Sequence, residues 1–158
     1  MIVEALFVGV VATAVADLWQ LSLAAWGGRP ATDWGKVGRW VAWLPRGVIV
    51  HESIGAAPAV RGERALGWSF HYAVGIAYGA AFVLARDVLA IEATLLPALG
   101  LAALTLAAPW FVLQPGLGLG VLARRAENPP AVRFLNVATH GAFGVGLALA
   151  AELSRLAS

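Results

Sequence analysis

Four long runs of mostly apolar residues restrict what this 158-residue chain can fold into more than any other feature, and they cover residues 5–26, 67–85, 93–113 and 134–151. A helix of roughly 20 apolar residues crosses a hydrocarbon layer about 30 Å thick. Strands are excluded by pattern, because the runs lack the alternation of polar and apolar residues that a half-buried or barrel strand shows. Composition agrees: 60% of residues are hydrophobic and 13% are charged, about half the charged fraction of an ordinary soluble domain. Such a chain has too few polar groups to cover itself in water. The expected fold is therefore an all-α membrane protein, a single transmembrane domain over residues 1–158 built as a bundle of four transmembrane helices.

The first run resembles a signal peptide at Ala12-Thr13-Ala14. However, no basic residue precedes it, Glu4 stands where positive charge belongs, and apolar residues continue past the small-residue site, so it is expected to be a retained span.

Basic residues set the expected orientation. Arg29, Lys36, Arg39, Arg46, Arg61 and Arg64 lie between the first two spans, and Arg124, Arg125 and Arg133 lie between the last two. The opposite side has only Arg86 and Arg155. The positive-inside rule then makes both basic loops cytoplasmic and puts both termini outside. All seven tryptophans lie toward the basic side, where Arg39, Arg46 and Arg64 are in reach of lipid phosphates. Residues 36–55, between helices 1 and 2, are apolar enough to lie in the interface or dip in as a re-entrant piece but too short to span, and a solvent-side loop whose aromatics rest on the headgroups fits them equally well. The expected form is an amphipathic or re-entrant cytoplasmic segment, and the sequence does not separate interfacial from re-entrant placement. Ten of the eleven Lys and Arg residues are Arg. With abundant Ala, Gly and Leu, this points to a GC-rich bacterial genome and to the bacterial inner (plasma) membrane.

Small residues mark helix-packing faces. Gly9 and Thr13 share a face of the first span with Asp17, Gly75 and Gly79 form a small-xxx-small pair, and Gly141, Gly144 and Gly146 thin the fourth span. In lipid, such residues let backbones approach and pack through dispersion. Pro109 lies inside the third run and should bend it, freeing a carbonyl one turn earlier.

The polar residues within the spans are the informative ones: Asp17, Gln20, His71, Gln114, Asn136 and His140. An Asp at mid-span costs roughly 2.5–3.5 kcal/mol on insertion, so it faces protein and has a partner. Counting rise along the helices puts Asp17 about 13 Å, His71 about 6 Å and His140 about 9 Å from the basic side. Gln114 closes the third span there, and His51 with Glu52 is in reach from the loop. The expected polar intramembrane cluster is Asp17, His71, His140, Gln114 and His51. Three uses compete: a network that holds helix register, a proton relay (an imidazole beside a carboxylate changes charge close to neutral pH), or a metal or haem site from Asp17, His51, His71 and His140.

Other chemistries lack a pattern. There is no cysteine, which removes disulfides and thiolate chemistry. A net charge of +2 without a basic face interleaved with aromatics gives no nucleic-acid surface. Gly116-Leu117-Gly118-Leu119-Gly120 lacks dinucleotide-binding spacing, and His51-Glu52 lacks the second His of a zincin. No catalytic residue and no cofactor is assigned.

The ordered series Ala12-Thr13, Asp17-Leu18-Trp19, Gly38-Arg39-Trp40, Arg46-Gly47, His51, Glu63, Gly67-Trp68, His71-Tyr72, Gln114-Pro115, Asn128-Pro129, His140 and Phe143-Gly144 resembles domain-of-unknown-function family 2938, small bacterial inner-membrane proteins. The resemblance covers nearly the whole chain. It implies a polytopic membrane protein, with Asp17, His51, His71, Gln114 and His140 at the family's recurring polar positions, and no activity, cofactor or partner. Trp43 departs from the pattern, since a His often stands there, which weakens a four-histidine metal site. A Thr-Pro pair that often precedes the Asn-Pro is also missing.

The functional expectation is a non-enzymatic membrane protein that moves a small solute or ion, coupled to protons, through the Asp/His cluster. A structural or assembly subunit of a membrane complex is the alternative, and a metal- or haem-binding membrane protein is the third. Four short helices rarely enclose a pathway alone, so besides the lipid bilayer the expected partner is a second copy or a membrane-complex subunit.

Overall fold

The computed structural model describes residues 1–27 and 31–157; Arg29, counted above in the first basic loop, lies outside them. Among the described residues all regular structure is helical. Helices α1 (Ile2–Gly27), α3 (Glu63–Leu89), α4 (Leu95–Gly116) and α5 (Pro129–Leu156) are each long and apolar enough to cross a membrane. They contain the four apolar runs, apart from Ala93 and Thr94, which precede α4. Large apolar side chains stay exposed along all four, Val10, Leu84, Leu104 and Leu149 among them, which suits an apolar solvent.

Local chemistry sets the helix ends. Asn128 starts α5, its side-chain oxygen accepting from the Ala131 N–H at 3.2 Å, with Pro129 in the first turn where a missing N–H is harmless. The shorter helix α2 (Trp34–Trp43) begins at Asp33, whose carboxylate accepts from the Gly35 and Lys36 N–H groups at 3.1 and 3.2 Å. A 3-10 turn (Leu44–Arg46) ends it, closed by Gly47 at φ 76°, a left-handed position that glycine adopts freely. α4 is regular over Leu95–Thr105 and widens to a π-turn over Pro109–Leu113. Pro109 has no N–H to donate; the Trp110 N–H already bonds the Leu106 carbonyl at 3.1 Å, and at the end of the turn the Gln114 N–H bonds the Pro109 carbonyl, five residues back.

The chain divides into two compact units. Unit 1 comprises Met1–Ala31, Tyr72–Thr105 and Val137–Ser158. Its core joins Val8, Ala12 and Ala16 of α1, Phe82 and Val83 of α3, Ala98 and Ala102 of α4, and Phe143, Leu147, Ala150 and Ala151 of α5. A Cβ added at Gly79 would come within 2.5 Å of the Gly9 Cα, and one at Gly9 equally near the Ile76 Cα. α1 and α3 thus meet backbone to backbone, which only glycine permits. Gly75 faces the Thr13 hydroxyl, and a Cβ at Gly144 would stand 3.0 Å from the Ala102 Cβ. Gly141 has open space, with nothing within 4 Å of its Cβ direction.

Unit 2 comprises Thr32–His71 and Leu106–Asn136. Val37, Gly38 and Trp40 are the buried side of α2, and Gly38 lies against the Glu63 carbonyl and the Gly67 nitrogen of α3. Arg39 binds both carboxylate oxygens of Glu63, at 2.8 and 2.7 Å, and donates to the Ile54 and Ala57 carbonyls at 3.2 and 2.9 Å. It therefore ties the loop together instead of reaching outward as the sequence suggested. The hydrogen bond to Glu63 and the charge behind it raise the Arg39 pKa above the ordinary guanidinium value. The Trp40 indole donates to the Ile49 carbonyl at 2.8 Å, lying over Gly116, where a Cβ would strike the ring.

Candidate functional site

The polar side chains carried by the long apolar helices fall into small groups, each with named partners. In unit 1, Asp17 is 9% exposed and its carboxylate accepts from the Tyr72 hydroxyl at 3.0 Å. One turn toward the N-terminus, Thr13 returns its hydroxyl to the Gly9 carbonyl at 2.7 Å, which satisfies it within its own helix. His140 meets Thr105, Nδ1 to Oγ1, at 2.7 Å, and the same hydroxyl lies 2.7 Å from the Ala102 carbonyl. If Thr105 donates to that carbonyl, the imidazole supplies the proton of the other bond. Thr105 stands four residues before Pro109, at the turn the proline loosens.

In unit 2, chemistry fixes the orientation of two amides. An indole N–H can only donate, and Trp110 donates to Asn136 at 3.2 Å, so that Asn136 atom is Oδ1. Gln114 faces the same oxygen at 2.6 Å and presents its Nε2. The other Gln114 atom, Oε1, is then a committed acceptor, and it is buried without a hydrogen-bond partner among the described residues. Trp43 Nε1 and His51 Nε2 are in the same condition. An unsatisfied buried polar atom costs about 1–3 kcal/mol, so three in one unit call for a cause. His71 stacks on Trp34 with ring centroids 3.9 Å apart and meets the edge of Trp68 at 5.8 Å.

Of the sequence-derived cluster, Asp17 and His140 thus belong to unit 1, whereas His51, His71 and Gln114 belong to unit 2. The four proposed metal ligands, Asp17, His51, His71 and His140, are not gathered: among the described residues no three His, Cys, Asp or Glu side chains group as a metal ion requires. Tyr72 and Trp43, which the sequence reading named only through the family series, and Thr105, which it did not name, carry polar contacts or orphaned atoms. Periodicity does not mark them. Pro109 was the one usable signal, since a freed turn draws polar side chains.

A cleft of about 1000 Å³ opens at one end of unit 1, with Glu4, Arg86, Glu92, Glu152 and Arg155 among its walls. Its cations are engaged, Arg86 with Glu4 and Asp87, and Arg155 with Glu152.

The family model described as protein of unknown function (DUF2938) matches residues 6–154, nearly the whole chain. No curated protein and no solved structure matches it.

Proposed function

We propose that this chain, which belongs to the DUF2938 family of proteins of unknown function, is a polytopic inner-membrane protein that couples movement of a small solute or ion to protons. In this reading the four long helices cross the bilayer as a bundle, the basic loops and α2 face the cytoplasm, and both termini face outward. The observation that carries it is Asp17, a carboxylate 9% exposed and met by the Tyr72 hydroxyl, on a helix apolar enough to span. Ionisable groups at such positions are costly and cluster on ion and proton pathways. The Thr105–His140 contact adds a second group able to pass a proton in the same unit. Four helices make a thin wall, and a second copy of the chain would complete a pathway.

The test uses Asp17→Asn, because an Asn oxygen still accepts from Tyr72 while the charge is lost. Proteoliposomes with wild-type protein should dissipate an imposed pH gradient faster than protein-free vesicles. Asp17→Asn should fall to the protein-free rate with helix content and elution volume unchanged. A variant as fast as wild type overturns the reading. The rival, an assembly subunit in which Asp17 only holds register, draws on the glycine-lined contact of α1 with α3. It predicts instead that Asp17→Asn loses expression and that wild-type vesicles behave as empty ones.

A further inference from the structure

Among the described residues of unit 2, only Leu122 and Ala123 are non-glycine residues at positive φ, at 56° and 53°. A Cβ is strained there, and such backbone persists where its surroundings impose it, most often at functional sites. Three backbone bonds hold this turn: the N–H groups of Ala123, Arg124 and Arg125 donate to the Gly120, Val121 and Leu119 carbonyls at 3.1, 3.2 and 2.8 Å. Arg133, near the start of α5, clips the Leu122 carbonyl through its Nε at 2.8 Å. Arg124 and Arg125 both lie over Gly120, where a Cβ would meet their Cγ atoms at 2.9 and 3.4 Å. The strained turn thereby gathers three arginines. Arg124 and Arg125 are exposed. Among the described residues, neither the three arginines nor Glu127, the one acid between residues 117 and 136, joins an ion pair. Val121 and Phe134, the chain neighbours of the clipped pair, are 36% and 69% exposed.

We infer that this turn is a docking site for the headgroup of an anionic phospholipid. A guanidinium presents a planar fork of N–H donors that matches phosphate oxygens two at a time. Arg124 and Arg125 offer two such forks from one turn, and Arg133 commits only its Nε to the protein. The positive end of the α5 dipole adds to the same charge. Two observations favour a lipid over a dissolved anion. The turn joins Leu95–Gly116 to Pro129–Leu156, helices apolar enough to cross a membrane, which sets it at the level of the lipid phosphates. Val121 and Phe134 flank the arginines with apolar surface that suits acyl chains and that a dissolved anion would leave in water. A zwitterionic headgroup fits less well, because its ammonium would meet three cations with Glu127 alone to receive it. The inference rests on the membrane placement in the proposed function and not on proton coupling, since Asp17, Tyr72, Thr105 and His140 take no part.

Native mass spectrometry of the intact chain, released from detergent micelles doped with one lipid, reads bound lipid directly. Wild type should hold phosphatidylglycerol about ten-fold more tightly than phosphatidylcholine with the same acyl chains. Arg124→Gln/Arg125→Gln should lose about ten-fold in phosphatidylglycerol affinity. Arg61→Gln/Arg64→Gln removes the same charge from exposed arginines elsewhere in unit 2 and should stay close to wild type. A large molar excess of inorganic phosphate should displace no lipid. Equal binding of the two lipids by wild type overturns the proposal, and that comparison needs no variant to fold. Equal losses in the two double variants overturn it too, because binding would then follow net charge alone. Displacement by inorganic phosphate would make the ligand a dissolved anion and equally overturn it. Protein that stays in solution without detergent would overturn the membrane placement and this site together. Protein that needs detergent but fails the lipid comparison overturns the site alone.

Discussion

His140 shows how one hydroxyl can settle an apolar helix. Its Nδ1 lies 2.7 Å from Thr105 Oγ1, and that hydroxyl is also in reach of the Ala102 carbonyl. Thr105→Val keeps the shape and removes the oxygen. It should cost between about 0.6 and 2 kcal/mol, the range for interhelical polar bonds in apolar surroundings. Thr105→Ser keeps the oxygen and should stay close to wild type. Unfolding in mixed micelles measures both, and equal stability of the Val and Ser variants would show that the contact contributes nothing. Residue identity alone flagged His140 and Asp17 as polar residues in the wrong solvent. It said nothing of Thr105 or Tyr72, because a partner is chosen by where another helix passes, and no local pattern records that.

At the scale of elements, the bodies of the four long helices were legible in the sequence and their ends less so, since the runs 67–85 and 134–151 stop short of Glu63–Leu89 and Pro129–Leu156. Asp33 before α2, Asn128-Pro129 before α5 and Pro109 within α4 act through bonds a few residues long. The end of α3 is the exception. Ala90 adopts φ 50° while the Ile91 N–H reaches back to the Arg86 carbonyl at 3.2 Å, the left-handed closure that glycine ordinarily supplies. A Cβ there is strained. Ala90→Gly should therefore stabilise the protein by about 1 kcal/mol, offset in part by the freer unfolded chain. A lowered unfolding midpoint would contradict this. The helix α2 inside the long first loop shows the same division: its cap is local, but the close approach of Gly38 to Glu63 and Gly67 depends on a residue 25 positions away.

For the whole molecule, the expected orientation rests on charge bias and has a direct chemical test, because the chain has no cysteine. Ser53 and Thr94 are both exposed, and each lies in a segment that the positive-inside rule assigns to an opposite side. In intact spheroplasts, a membrane-impermeant maleimide should reach Thr94→Cys from outside the cell. It should label Ser53→Cys only after permeabilisation. The reverse labelling would invert the topology, and labelling of both from one side would break it.

The sequence by itself determined that this chain builds four long apolar helices, because length and hydropathy are properties of contiguous residues and apolar surroundings leave the backbone no partner but itself. It also determined which side chains would be misfits there. Only the tertiary structure decided who meets them: Tyr72 at Asp17, Thr105 at His140, Asn136 at Gln114, and no protein group among the described residues at Gln114 Oε1, His51 Nε2 or Trp43 Nε1. A hydrogen bond needs two groups within about 3 Å, and residues 22 to 55 positions apart come that close only when helices cross.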